Sequence, residues 1–196
     1  MAARRKIVRL VCAMVLLTLC IPAPTNAAEV ARHLTTRGVA TISITGEIAE
    51  GDAESLRREI NKAKTGGYSI SKIQLNSIGG SLFEGTSIAR AIRDASLNTG
   101  VAAGGTCASV CFLAFAAGSV KSVDAGARVG VHAASSETGE ETQASRAATA
   151  AMARIATLLG VPSRIIESMV STPSARMFWL NRANFMSMGA VIAAGR

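Results

Sequence analysis

Between Val39 and Ile44 (VATISI) the chain sets apolar, β-branched residues at near-alternate positions and stops at Gly46, the pattern of a strand and its turn. From Ala53 to Lys64 the period lengthens. Leu56, Ile60 and Ala63 share one face while Arg57, Arg58, Glu59 and Lys62 take the others, which predicts an amphipathic helix ended by Gly66-Gly67. Ile70 to Leu75 predicts a second strand, followed at once by Asn76-Ser77-Ile78-Gly79-Gly80-Ser81. A helix from about Ser81 to Ala95 comes next, with Ile88, Ala91 and Ile92 inward and Arg90, Arg93 and Asp94 outward. Thr99 to Ala103 makes a third, short strand. Gly104 to Gly118 (GGTCASVCFLAFAAG) then carries Ser109 on a small-residue turn into an apolar run at helical spacing, Val110, Leu113, Ala114 and Ala117. Ser119–Val123 and Ala127–His132 predict two further strands either side of Asp124-Ala125-Gly126, and Ser135–Gln143 (SSETGEETQ) is a polar loop. An alanine-rich helix over Ala144–Leu159 and another from Pro162 to about Val170 lead into the tail. Strands alternating with helices at this pace predict an α/β fold with a mainly parallel sheet.

The first 27 residues read differently. Arg4, Arg5, Lys6 and Arg9 precede an uncharged apolar run, Leu10 to Ile21, which Pro22 and Pro24 break before the small residues around Ala27. That is the layout of a signal peptide over 1–27. It leaves a flexible mature N-terminus over 28–38 and one domain over 39–196, in an exported protein that is periplasmic if the source is bacterial. A retained N-terminal membrane anchor is the alternative, although the run falls short of the ~20 apolar residues a span needs. Lipidation at Cys20 is disfavoured by the bulk of Leu19. Four of the 21 Lys and Arg lie in this segment and none of the 13 Asp and Glu, so the net charge falls from +8 to +4 once it is removed. The basicity is largely targeting signal. No Lys/Arg run interleaves with aromatic residues, so nucleic acid is not an expected partner.

Of the four cysteines only Cys107 and Cys111 lie beyond the signal segment, and they straddle Ser109. Four residues apart at a turn-to-helix junction, their Cα atoms can come within the ~4.4–6.8 Å of a disulfide, which an oxidising compartment favours. Two small buried thiols are the other reading. Two histidines and two cysteines make no zinc set, so no metal is expected.

Three residue groups fall where chemistry is done in an open α/β sheet, outside the carboxyl ends of strands. Gly79-Gly80 follows one strand, Ser109 opens a helix, and His132 ends a later strand. Each piece alone has an ordinary reading, as a tight turn, a helix cap and a core histidine. Together they offer a nucleophile, a base and two oxyanion donors, the N–H groups of Gly80 and Val110, for acyl transfer.

Their order resembles that of the Clp protease proteolytic subunit and its relatives in the Clp/crotonase fold. Leu75-Asn76-Ser77-Ile78-Gly79-Gly80 is similar to that family's Asn-Ser-Pro-Gly-Gly segment, with Ile78 for the proline. Gly105–Val110 is similar to its Gly-x-x-Ala-Ser-x nucleophile turn, Val129–His132 to its histidine strand, and Asn181–Ser187 followed by Gly189 to its Arg-Asp-x-Phe-Met-Ser segment. The resemblance, from about Ile42 to the end, implies a repeated β-β-α superhelix with a protruding C-terminal helical segment. It implies a serine hydrolase, most simply a peptidase, with Ser109 as nucleophile and His132 as base. A bonded Cys107–Cys111 pair would then stiffen the turn that aims Ser109.

Aligned on Phe185, the family's triad aspartate falls on Ala183. Losing the acid of a Ser-His-Asp triad can cost about 10⁴ in rate. Asn181 or Asn184 are the candidates for orienting His132 instead, with Asp124 a remoter one. A catalytically impaired Clp-like domain that binds peptides or assembles with copies of itself is therefore the alternative. Crotonase-like chemistry on a coenzyme A thioester ranks last, because an exported protein meets no coenzyme A. The resemblance further implies a peptide or protein substrate and a homo-oligomer assembled through Ala144–Leu159. No cofactor is expected, nor an ATPase partner for an exported chain. Phe83, Phe112 and the Ser135–Gln143 loop are the expected walls of a specificity pocket.

Overall fold

The computed structural model describes residues 27–35, 37–136 and 138–193. The expected signal segment up to residue 26 and Glu137 of the polar loop lie outside the described residues. The rest builds two sheets. Six strands lie in the order β1 (Glu29–Leu34), β2 (Val39–Thr45), β3 (Ser69–Asn76), β4 (Thr99–Val101), β6 (Lys121–Val123) and β9 (Val191–Ile192). All pairs in it are parallel except β1 with β2. A smaller sheet has the order β5 (Thr106–Ala108), β7 (Arg128–Val131) and β8 (Phe178–Trp179), with β5 and β7 parallel.

The helices form where the apolar period asks for them. α1 (Asp52–Thr65) buries Leu56, Ile60 and Ala63, and α2 (Leu82–Asp94) buries Ile88, Ala91 and Ile92, the stripes expected of each. α3 (Cys111–Ala116) is buried on every side, as a helix that is apolar all round must be. α4 (Gln143–Leu158) opens on a capping box between Thr142 and Ser145. α5 (Ser163–Ser171) and α6 (Arg182–Ser187) complete the set. One core runs through the domain, from Ile42, Ile44, Ile73 and Leu75 of the large sheet to Phe112 and Phe115 of α3 and Val129 and Val131 of β7.

The strands expected either side of Asp124-Ala125-Gly126 form, and they go to different sheets. The C-terminal segment is helical as expected and is tied down at both ends, by β8 against β7 and β9 against β6, with Phe185 of α6 buried. One expectation changes: in the lead-in expected to be flexible, Glu29–Leu34 pairs along its whole length with β2, and Arg32 contacts Glu59 of α1 at 3.2 Å. No helix among the described residues is long and apolar enough to cross a membrane.

Candidate active site

The two sheets meet where β3 ends. Ser77 N donates to Thr106 O (2.7 Å) and Ala108 N to Ser77 O (2.9 Å), so the chain leaving β3 lies alongside β5. Asn76 and Ser77 secure this seam with their side chains. Asn76 Oδ1 accepts from Thr106 N at 3.1 Å, and Ser77 Oγ accepts from Gly79 N at 3.1 Å. The Asn-Ser pair thus has a structural use that spacing alone did not assign.

Gly79 and Gly80 follow in conformations that only glycine adopts freely, φ 107° and 137°. Both are closely packed. A Cβ on Gly79 would stand 2.7 Å from Ser109 Cβ and 3.2 Å from Ser109 Oγ, and one on Gly80 would overlap the Ile48 carbonyl. Ile48 N donates to Gly79 O (2.7 Å) and Ser81 N to Ile48 O (2.8 Å), which fixes the glycine pair against the chain leaving β2.

Ser109 sits in the sharp turn from β5 into α3, with φ 55°. A left-handed serine stores backbone strain, and such strain collects at functional sites. Its N–H donates to Gly130 O (3.0 Å) and its carbonyl accepts from Phe112 N (3.0 Å), so the residue is held from the strand side and the helix side at once. Cys107 and Cys111 are disulfide-bonded across the turn, Cα to Cα 5.3 Å, and both are fully buried.

His132 leaves β7 beside it. Ala108 lies opposite Gly130 in the parallel register, so Ser109 and His132 emerge at the carboxyl ends of neighbouring strands. His132 Nδ1 is 2.7 Å from Ala133 O. A carbonyl oxygen can only accept, so Nδ1 is the donor, and in a neutral imidazole the lone pair then lies on Nε2. Ala133 N donates to Thr172 O (2.9 Å), anchoring this segment to the end of α5. Ser109 and His132 line one cleft of about 730 Å³ with Glu47, Glu50, Ile78 and Gly80. No hydrogen bond joins Ser109 to His132, and apo sites often tighten only around substrate. Among the described residues the N–H groups of Gly80 and Val110 have no hydrogen-bond partner.

The proposed orienting residues are elsewhere. Asn181 and Asn184 cap α6 reciprocally, each Oδ1 accepting the other's backbone N–H at 3.0 Å. Because β8 is antiparallel to β7, with Phe178 opposite Val131 and Leu180 N bonded to Val129 O, the chain from Asn181 onward runs away from His132. Continued one step past Val131 and Phe178, the same register sets Met177 rather than Ala183 opposite His132. Asp124 lies before the start of β7, the far end of that strand. Phe112 is fully buried in the core, while Phe83 faces a groove between α2 and α4. Of the expected pocket walls, Ser135 and Ser136 alone among the described residues line the cleft. No group of three or more His, Cys, Asp or Glu able to hold a metal occurs among the described residues.

No protein-family model and no curated protein sequence matches this chain. Solved structures do. ClpP1 of Listeria monocytogenes, as its N-to-D mutant, matches over 79% of this chain and 91% of its own, at TM-score 0.58 and 20% identity. The 1510-N membrane-bound stomatin-specific protease matches over 80% of this chain and 78% of its own, at TM-score 0.60 and 17% identity, and another structure of it holds a substrate peptide. The ClpP protease catalytic domain of Plasmodium falciparum covers 81% of this chain and 86% of its own, at TM-score 0.57 and 19% identity. The chain has the Clp protease-like, crotonase-like fold.

Proposed function

We propose that this chain is an exported, ATP-independent serine peptidase that works with a Ser-His pair and a two-amide oxyanion hole. The observation that carries the reading is the strained Ser109 beside two unpaired backbone donors, in one cleft with a histidine whose Nε2 is free to accept. Ser109 Oγ attacks the scissile carbonyl while His132 Nε2 takes its proton. The carbonyl oxygen, now negative, receives the N–H groups of Gly80 and Val110. His132 then returns the proton to the leaving amine, and water repeats the sequence on the acyl-enzyme.

Ala133 O takes over one part of the missing acid's work. It fixes the tautomer, as a triad carboxylate does. It supplies a dipole rather than a full charge to the imidazolium, so turnover should be slow next to a full triad. Copies are proposed to assemble through the face of α2 and α4, where Phe83 and Leu158 are 76% and 71% exposed.

Among the described residues, the absence of a Ser109–His132 hydrogen bond and of a carboxylate bonded to His132 favours a second reading, a Clp-like domain that binds peptides without cleaving them. Labelling with a fluorophosphonate probe separates the two. The peptidase reading expects an adduct on Ser109 that Ser109→Ala abolishes and His132→Ala slows strongly. A folded, assembled protein that takes up no probe supports the binding domain.

A further inference from the structure

We propose that the Cys107–Cys111 disulfide is a positioning device for the nucleophile, so that the chain becomes competent to react only after that bond has formed in an oxidising compartment. The inference rests on the reading of Ser109 as the nucleophile.

The bond closes a five-residue loop, Cys107-Ala108-Ser109-Val110-Cys111, with Ser109 at its centre in a left-handed backbone conformation, φ 55°. The two ends of the loop are rigid. Cys107 is paired with Val129 inside the small sheet, and Cys111 is the first residue of the fully buried α3. Linking them holds the turn at the length that the left-handed serine requires. The Val110 N–H belongs to the peptide unit that leaves Ser109. Any relaxation of Ser109 toward negative φ therefore moves the attacking hydroxyl and one oxyanion donor together. Without the crosslink, the turn is held by the hydrogen bonds Ser109 N to Gly130 O and Phe112 N to Ser109 O. Nucleophile and hole would be lost as one unit.

The chemistry of closure balances simply. Two thiols and an external disulfide RSSR give the Cys107–Cys111 bond and two molecules of RSH, which carry off both electrons and both protons. The exchange passes through a mixed disulfide and needs access to sulfur. Both cysteines have zero exposure in the folded chain, so the bond must form before α3 packs down and persists afterwards. It is a lock set during folding. A hydrolase built this way stays silent in a reducing cytosol before export.

The test compares the wild-type mature protein refolded with dithiothreitol, the same protein refolded with oxidised glutathione, and a Cys107→Ala/Cys111→Ala variant. Circular dichroism establishes that each is folded, and the rate of fluorophosphonate labelling at Ser109 is measured. A shift of the reacting atoms by ~1 Å can cost about 100-fold. The dithiol form and the variant should accordingly fold but label about 10- to 100-fold more slowly, with the KM for a peptide little changed. Refolding with oxidised glutathione should restore the wild type and not the variant. Equal labelling of folded dithiol and disulfide forms would overturn the proposal. So would loss of the fold on reduction, since the bond would then be structural. An oxidised wild type that takes up no probe fails differently: it removes Ser109 as nucleophile, and the inference with it.

Discussion

Gly79→Ala reports on the nucleophile turn without replacing a reacting group. Gly79 has φ 107°, and a Cβ there would stand 2.7 Å from Ser109 Cβ, 3.0 Å from Ala108 O and 3.2 Å from Ser109 Oγ. Carbon atoms in good contact sit about 3.5–4.0 Å apart, so the new methyl is too close to Ser109 by roughly 1 Å. An alanine in this backbone region costs about 1–3 kcal/mol. Overpacking by one carbon adds another ~1–3 kcal/mol. The total, about 2–6 kcal/mol, is less than or comparable with the ~5–15 kcal/mol stability of a typical domain. Most of the variant should remain folded in the cold, and the strain should be relieved where it arises, by moving Ser109. Displacing a nucleophile by ~1 Å lowers the rate by on the order of 10². Urea unfolding of the variant should show the lost stability, and fluorophosphonate labelling of the folded protein should fall by about that factor. Wild-type labelling in a folded Gly79→Ala protein would refute the close packing of the glycine pair against the nucleophile.

Other substitutions test neighbouring parts of the structure. Asn181→Ala removes one half of the α6 capping box and should cost about 0.5–2 kcal/mol in urea unfolding. It should leave Ser109 labelling unchanged; a large drop in labelling would reinstate Asn181 near His132. Glu59 is held below the ordinary carboxylate value of 4.5 by the Lys62 ammonium, 2.7 Å away, against an opposing effect of burial and with help from Arg32. A depressed pKa stabilises the fold above 4.5, and that contribution is lost as pH falls through the lower folded value. Glu59→Gln should therefore be less stable than wild type at pH 7, and the two urea midpoints should converge as the pH falls below the depressed folded value of Glu59. A gap that persists in acid would show that the Arg32–Glu59–Lys62 cluster is not its source.

The long elements were legible because their periods are unambiguous. Leu56, Ile60 and Ala63 stripe α1 as expected, and the apolar cores of β2, β3 and β7 lie where their sequences put them. Ser109, His132 and the glycine pair could be brought to one crevice from sequence alone, because strand ends converge in an α/β sheet. What stayed hidden depends on short or long-range pairing. β5, β8 and β9 are two or three residues long, too short for any period to register. β1 (EVARHL) carries charges on two of its six positions because it pairs at the sheet edge, and it reads as polar lead-in. The misplaced orienter has the same origin. Asn181 and Asn184 look like free amides in sequence, and only the antiparallel register of β8 shows Met177 coming to His132 while the asparagines turn away into a cap. The hydrogen bond from His132 to Ala133 O involves a backbone acceptor, which no residue type could announce.

The most direct test of a Ser109–His132 pair is the reaction of the oxidised mature protein with a peptidyl chloromethyl ketone, mapped by mass spectrometry of the digest. Ser109 Oγ adding to the ketone would hold the chloromethyl carbon at His132 Nε2, which displaces chloride to form a new N–C bond. A single adduct on His132, whose rate collapses in Ser109→Ala, is the result expected. Alkylation of His33 instead, or a His132 adduct formed equally fast without Ser109, would contradict the pair and leave the cleft as a binding site.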